Sequence, residues 1–416
     1  MSDTLVLLTT NFPAAEGDAS FLANEIDALA CAFDQVIVFS YREPSGPVVD
    51  LPPNVQYAGA LIDTPKKAGL QQLLDVRALP KAAASLWREH RRSVSVETLR
   101  RTVGSISTGT AFARAIAAKL HQLGVTAQDR VTTYAFWGTH AAVALPFLDR
   151  SDRTVVRMHG FDLYEDRTPN LPLRASLFKA ADAIVPISSH GKDYLLQRYP
   201  AAVLSPSKVK LSRLGTVDPG RLATVGKEQA WPKSGPLRVV SCSSLTPLKN
   251  VGAIIPAVEE LARSGPVEWV HLGGGEQEEI LRTTAGEAMA RQPNLQISLR
   301  GWTPHSQVIE YLGTENPDVF LNVSDTEGVP VSIMEALSFG IPVVATDVGG
   351  TGEIVGRELG SGMLVPKRPS AEQISAAVRE VTTNRNILDP RAVWERMSNA
   401  ASNAQEIINI LQDVQR

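Results

Sequence analysis

Short apolar runs alternate with longer segments of helical spacing along much of the chain, most regularly in its second half. Arg238-Val-Val-Ser-Cys242 predicts a strand, and Lys249 to Arg263 a helix. Glu268 to Leu272 predicts the next strand, closed by Gly273-Gly-Gly275, with a helix from about Glu276 to Arg291. Leu295 to Leu299 is a third run, followed by a helix over Gln307 to Leu312. Asp318 to Ser324 and Pro342 to Thr346 then flank a helix with Pro330 as its first residue and Gly340 as its stop. Gly362 to Pro366 and Ala371 to Thr382 complete the series. Continuous apolar runs fit strands buried on both faces. Their alternation with helices argues an α/β class with a doubly wound parallel sheet and right-handed crossovers.

The first half repeats the class less regularly. Leu5 to Leu8 predicts a strand, followed by a loop through Ser20 and a helix to Ala32. Further strands are expected at Val36 to Phe39, Arg130 to Tyr134, Thr154 to Met158 and Ala183 to Pro186, and Lys66 to Leu123 reads as mostly helical. A chain of 416 residues is too long for one ordinary core. Residues 215–238, rich in Gly, Pro and Ser, are the expected linker between an N-terminal domain 1–215 and a C-terminal domain 216–389.

Charge and cysteine usage narrow the function. A net charge of −3 leaves no global footprint for nucleic acid. The two cysteines, Cys31 and Cys242, have no metal-ligand spacing and read as buried, reduced thiols of a cytoplasmic protein. No apolar run has the length of a membrane span, and the first residues lack the positive start of a signal peptide. One region is asymmetric: residues 66–101 carry nine Lys or Arg against three Asp or Glu, interleaved with Leu70, Leu73, Leu74, Leu86 and Trp87. Such a face is either a solvated helix surface or a peripheral contact with anionic membrane.

The chemistry concentrates between the runs at 318–324 and 342–346. Ligands of open α/β sheets bind at the carboxyl ends of strands, and free amides at a helix start favour phosphate. Glu327 lies in the loop, and Glu335 within the first two turns of the helix, leaning back toward its start. Both carboxylates can face one crevice, on either side of an anion. Carboxylates accept well from sugar hydroxyls. A nucleotide sugar has that layout, with ribose, diphosphate and sugar in line. Spacing alone equally allows a solvated loop Glu and an exposed helical Glu.

Glu327, Glu335, Ala336 and Gly340-Ile-Pro-Val-Val-Ala345 together resemble the signature of the retaining glycosyltransferases of family four. The resemblance implies the GT-B fold, two Rossmann-like domains facing across a cleft, with a C-terminal helical segment 390–416 crossing back to the first domain. It implies that Glu327 contacts the transferred sugar and Glu335 the ribose. Pro330 departs from a glycine common in the family and offers no N–H, so the phosphate cradle falls to Gly328, Val329, Val331 and Ser332. The loop Ser243 to Lys249 resembles the family's diphosphate grip. Lys249 is retained, but Ser244 stands where an arginine is usual, which removes a bidentate fork. Arg213, another arginine, or the hydroxyls of Ser243, Ser244 and Thr246 are the expected replacements. Gly274 belongs to a Gly-rich turn, and Arg300, Gly301 and Trp302 to the loop that reads the base in the family. In the first domain His159, in Arg157-Met-His-Gly-Phe-Asp162, corresponds to a family histidine near the reacting carbon and is expected to face the cleft. Asn11, Glu16 and Asp18 lie in the loop expected to shape the acceptor pocket, with helix capping as an equal role for Asp18.

These implications add up to a retaining, metal-independent hexosyltransferase. It would use a nucleotide diphosphate sugar (UDP-sugar favoured, GDP-mannose possible) and a glycan or lipid-linked acceptor in bacterial polysaccharide assembly of the exopolysaccharide, capsule or colanic-acid type. No cofactor and no nucleic-acid partner are expected. The absence of an Asp-x-Asp pair motivates metal independence. A glycosidase would need its two carboxyls across a scissile bond rather than around an anion. A catalytically silent nucleotide-sugar-binding protein and a nucleotide-sugar epimerase remain the alternatives.

Overall fold

In the computed structural model the chain forms two units, Met1–Leu214 with Ala400–Arg416, and Gly215–Asn399. The structure describes residues 2–15, 17–63, 79–90, 96–149, 151–165, 171, 173–220 and 235–413. Glu16, residues 64–78 and 91–95 of the basic stretch, and 221–234 of the expected linker lie outside that set.

The first unit is built on β1 (Asp3–Thr9), β2 (Gln35–Ser40), β3 (Val55–Ala60), β4 (Arg130–Ala135), β5 (Arg153–Met158) and β6 (Ala183–Pro186). All pairings are parallel, in the order β3-β2-β1-β4-β5-β6. The chain runs outward from β1 to β3, returns to the other side of β1, and runs outward again. The order therefore reverses between β1 and β4. Helices Leu79–His90 and Val96–Gln122 belong to this unit, and Ile106, Phe112 and Ile116 of the longer one join the core with Val6, Ile37 and Val156. β3 is absent from the sequence expectations because it is an edge strand with only Val55 buried, so it shows no apolar run.

The second unit contains β7 (Leu237–Cys242), β8 (Val267–Leu272), β9 (Leu295–Leu299), β10 (Val319–Asn322), β11 (Val343–Thr346) and β12 (Gly362–Val365). Its order, β12-β11-β10-β7-β8-β9, is again all parallel and reverses between β7 and β10. Val239, Trp269, Ile297, Leu321 and Val344 form its core with Ile255 and Val258 of helix Ile254–Leu261 and Ile374 and Val378 of helix Ala371–Thr383.

Three local details differ from expectation. The segment expected to leave the second unit at 390 does so at 400. Helix Pro390–Met397 stays because Arg391 donates to Ser338 O (2.7 Å) and pairs with Asp218 (2.7 Å), while Trp394 Nε1 donates to Thr216 Oγ1 (2.8 Å). Helix Ala400–Gln412 belongs to the first unit, where Arg153 Nε donates to Ile410 O (2.6 Å) and Gln412 Nε2 to Ala32 O (2.9 Å). Pro330 is not helical but precedes the helix Val331–Ser338, with ψ of 121°. Cys31 is exposed rather than buried, near the end of the short helix Ile26–Ala32.

Candidate functional site

In the second unit the loops after β7 and β10 emerge side by side where strand order reverses, the place where such sheets bind ligands. The β7 loop makes a tight turn at Pro247–Lys249, and Asn250 follows in the left-handed region with φ of 50°. Its floor is a buried polar relay. Trp269 Nε1 donates to Ser241 Oγ (2.9 Å), Ser241 Oγ meets His271 Nδ1 (2.8 Å), and His271 Nε2 meets the carbonyl of Ser243 (3.0 Å). Burial pushes His271 down to about 4, so its ring is neutral and supports the loop without charge. Gly273 lies with φ of 132° so close to Ser243 that a Cβ would sit 2.0 Å from its carbonyl oxygen. Gly274 accepts from Leu245 N (3.0 Å), which fixes the Gly-rich turn against the same loop.

Lys249 extends from this loop and donates to Glu327 Oε1 at 2.6 Å. The lysine side chain is 28% exposed and the carboxylate 10%. Asn322, the last residue of β10, reaches the same oxygen (3.4 Å) and accepts from Ser324 N (3.1 Å). Asp325 N donates to Leu248 O (2.8 Å), tying the two loops together. Gly349, with φ of 56°, brings the loop after β11 against Glu327, where a Cβ would meet the Glu327 carbonyl at 2.0 Å. Helix Val331–Ser338 begins without a side-chain cap and without an acidic residue in its first turn, so the Val331 and Ser332 amides start an uncapped, electropositive end.

Glu335, in that helix, is buried and bonds His305 Nε2 through Oε1 at 2.6 Å. His305 opens the helix His305–Thr314, two residues beyond Thr303. The bond to Glu335 raises the His305 pKa above its ordinary value. The Cys242 thiol is pushed up to about 12 by burial and then by the charge of Glu335. It is therefore an inert thiol at the base of the site. Trp302 is 69% exposed. The Arg300 N–H donates to His271 O (3.0 Å), and its guanidinium lies 5.2 Å from the Tyr311 ring centre. Arg213, in the first unit, donates to Ser189 Oγ (3.2 Å).

The polar residues singled out in the first unit have a different character. Asp18 is 3% exposed. Its Oδ2 accepts from Thr10 N (2.5 Å) and Asn11 N (3.1 Å), and its Oδ1 from Trp137 Nε1 (2.8 Å). It therefore neither caps its helix through its side chain nor presents a free carboxylate to an acceptor. Asn11 Oδ1 accepts in turn from Asp18 N (3.2 Å). His159 is 4% exposed and enclosed by Phe21, Phe136 and Trp137, the last at 4.1 Å between ring centres. Burial and then the Arg157 charge hold it well below the ordinary histidine value. Asp162 accepts from the His159 and Gly138 amides (2.5 Å each), and burial raises it to about 6. Arg157, fully buried, donates to Glu25 (2.5 Å) and Tyr134 (3.1 Å).

Sequence reasoning brought Lys249 and Glu327 into one site and missed His305, Asn322 and His271. Asn322 was visible as a polar residue ending an apolar run. His305 carried no signal, because its partner lies on another element. Among the described residues no helix is long and apolar enough to cross a membrane.

Residues 227–406 match the family profile of glycosyl transferases group 1. The amylovoran biosynthesis glycosyltransferase AmsK of Erwinia amylovora is 28% identical over 263 residues, 62% of this chain and 56% of that protein. WcaL of Salmonella typhimurium, described as a colanic acid biosynthesis glycosyltransferase, is 33% identical over 232 residues, 53% of each chain. The chain thus spans little more than half the length of these curated relatives. Among solved structures, Anabaena Alr3699/HepE in complex with UDP and glucose matches with a TM-score of 0.63 at 15% identity, covering 98% of this chain and 99% of that one. The two six-stranded parallel sheets are accordingly those of the GT-B glycosyltransferase fold, and residues 227–406 belong to the glycosyl transferases group 1 family.

Proposed function

We propose that the protein transfers a sugar from a nucleotide diphosphate sugar to a hydroxyl of a glycan or lipid-linked acceptor in polysaccharide assembly, with retention and without a metal. The observation that carries this reading is the Lys249–Glu327 pair, 2.6 Å apart at the point where the order of the second sheet reverses. A partly exposed ion pair beside an uncapped helix start is where an anion can exchange for an internal contact. Lys249 turns to the diphosphate, and Glu327, released from it, takes a hydroxyl of the sugar. The amides of Val331 and Ser332, with those of Gly328 and Val329, complete the cradle. Charge growing on the leaving diphosphate meets these fixed donors, which is electrostatic catalysis. Glu335, already oriented by His305, accepts from the ribose. Trp302 and the backbone at Arg300 and Gly301 face the base, with Ser244 adding a hydroxyl near the phosphates.

His159 is neutral and serves the reacting region by shape and hydrogen bonding rather than by charge. UDP is the favoured nucleotide, in keeping with the UDP bound to HepE, and GDP-mannose is the other donor to test. The protein acts at the cytoplasmic side, with residues 66–101 as a peripheral contact for anionic lipid. A thermal-shift panel of UDP, GDP, ADP and their sugars, run on wild type and Glu335→Ala, tests the donor site. One base should stabilise wild type and lose that effect in the variant. Stabilisation by none of them would sink the reading. Proton NMR of the product anomer tests retention. Donor binding without turnover would leave a silent binding protein, and isomerised donor without acceptor would leave an epimerase.

A further inference from the structure

The carboxyl ends of β2, β1 and β4 are stitched together in the first unit. Tyr41 N donates to Thr9 O (2.9 Å) and Arg42 N to Thr10 O (2.8 Å), joining the loops after β2 and β1. Asp18, on the β1 loop, accepts from Trp137 on the β4 loop (2.8 Å). At this junction the rings of Tyr41 and His140 lie 4.9 Å apart between centres. The Arg42 guanidinium carbon lies 5.9 Å from the Tyr41 ring centre. The backbone bonds of Tyr41 and Arg42 and the Asp18–Trp137 bond account for the stitching, whereas the side chains of Tyr41, Arg42 and His140 have no part in the chemistry described above.

Two features mark the trio as more than loop packing. His140 holds φ of 52°, a left-handed conformation that is costly for a residue with a Cβ. Such positions persist only where their surroundings hold them, and they gather at ligand sites. Arg42 is exposed, and no carboxylate among the described residues pairs with it. Its charge reaches His140: burial and then Arg42 hold that imidazole below 6.5, against the pull of Asp18. The ring is neutral at neutral pH, with Nδ1 at 3.1 Å from Thr139 Oγ1 and Nε2 left for a further partner.

We propose that Tyr41, Arg42 and His140 form a subsite for an acidic sugar, a saccharide unit bearing one carboxylate. The guanidinium supplies a planar fork that matches a carboxylate through two parallel hydrogen bonds. The two aromatic rings offer apolar surface to the pyranose, and the neutral imidazole and the phenol bond its hydroxyls. One cation beside a neutral histidine balances a single negative charge, which selects a carboxylate over a diphosphate. Under the transferase reading this sugar is part of the acceptor. The binding itself does not depend on that reading.

The test uses the full-length chain with ¹³C-labelled histidine, titrated by NMR with methyl β-glucuronide, methyl β-glucoside and glucose 6-phosphate. The His140 ring signal is identified by its loss in His140→Gly, a change that also relieves the left-handed backbone and so should fold. The glucuronide should shift that signal and bind at least about tenfold tighter than the glucoside, as expected for a charged hydrogen-bonded pair. Arg42→Gln, at an exposed position, should erase the tenfold preference. Equal binding of glucuronide and glucoside, tighter binding of the phosphate, or a preference that survives Arg42→Gln would overturn the proposal. Stabilisation by UDP, measured on the same samples, reports on the second unit. Its loss would count against the transferase reading, while its persistence beside an absent glucuronide preference would overturn this subsite alone.

Discussion

The two units share one sheet topology and use their polar residues in opposite ways. Each sheet reverses its strand order once, between β1 and β4 and between β7 and β10. At the reversal of the second sheet the ionisable residues form pairs with one partly open partner, Lys249 with Glu327 and His305 with Glu335. Behind the corresponding end of the first sheet, Arg157 and Glu25 pair with side chains 0% and 4% exposed, and Asp18 and Asp162 spend their oxygens on backbone and indole N–H groups. The lesson concerns exchange. A ligand can replace an internal partner only where water already reaches one member of the pair. A fully buried pair is a strut, because breaking it strands an uncompensated charge.

The largest predicted effect follows from that distinction. Arg157→Ala leaves the Glu25 carboxylate buried without its cation and should destabilise the first unit by about 3–5 kcal/mol. Urea unfolding followed separately in the two units measures it. Burial pulls the Arg157 pKa down, but Glu25 and Tyr134 outweigh it and raise the value, so the residue stays charged throughout. A loss below about 1 kcal/mol would erase the contrast between strut and exchangeable pair.

Glu327→Gln is the reciprocal experiment. It removes the charge opposite Lys249 while keeping an oxygen for Asn322, so unfolding should change by less than about 1 kcal/mol. Sugar transfer should fall by about a hundredfold or more, the scale of losing one group aimed at the transition state. Lys249→Ala should match it in rate and additionally weaken UDP binding. Stability lost in step with activity would make Glu327 one more strut.

Much of the fold was legible in the sequence. Fully buried parallel strands such as Val319–Asn322 and Val343–Thr346 announce themselves as apolar runs, and Pro330 and Gly340 bracket the helix between them. Lys249 and Glu327 came into one site through their resemblance to a family signature, whereas their direct contact is visible only in the fold. What could not be read was exposure. Asp18 read equally as an acceptor-binding carboxylate or a helix cap, because nothing local shows that Trp137, more than a hundred residues away, occupies one of its oxygens. The burial of His159 could not be read either, because its aromatic cover comes from Phe21 and Phe136 on distant elements. Edge strand β3 was lost for the converse reason, since only one of its side chains is buried.

Acid should act in opposite senses through two histidines, His159 and His305, first and more strongly through His159. Its folded pKa lies well below 6.5 because burial disfavours the charged ring. The unfolded chain therefore binds a proton that the folded chain refuses, and stability falls as pH drops below about 6.5, by up to about 1.4 kcal/mol per pH unit. His159→Phe removes this titrating group, so its stability relative to wild type should grow as pH falls from 6.5 to about 5, over and above the opposite contribution of Asp162 that both proteins share. An equal acid slope in both proteins would show that this ring does not carry the effect.

The smallest effect is expected at His305, with the reverse sign. Its folded pKa is raised by the hydrogen bond to Glu335, despite burial acting against it. The stabilisation is fully present below the unfolded value near 6.5 and is lost as pH rises through the folded value. The imidazole side chain is 69% exposed, so solvent screening keeps the contribution below about 1 kcal/mol. The difference in stability between wild type and His305→Asn should be greatest below pH 6.5 and should shrink above it. The same comparison made on UDP affinity separates two roles for the contact. If His305 orients Glu335 for the ribose, the variant should bind UDP a few-fold more weakly, and Glu335→Ala should remove any further effect of changing His305. Additive losses in the double variant would instead give His305 a direct contact with the nucleotide, leaving Glu335 buried beside it as a strut of the kind that fills the first unit.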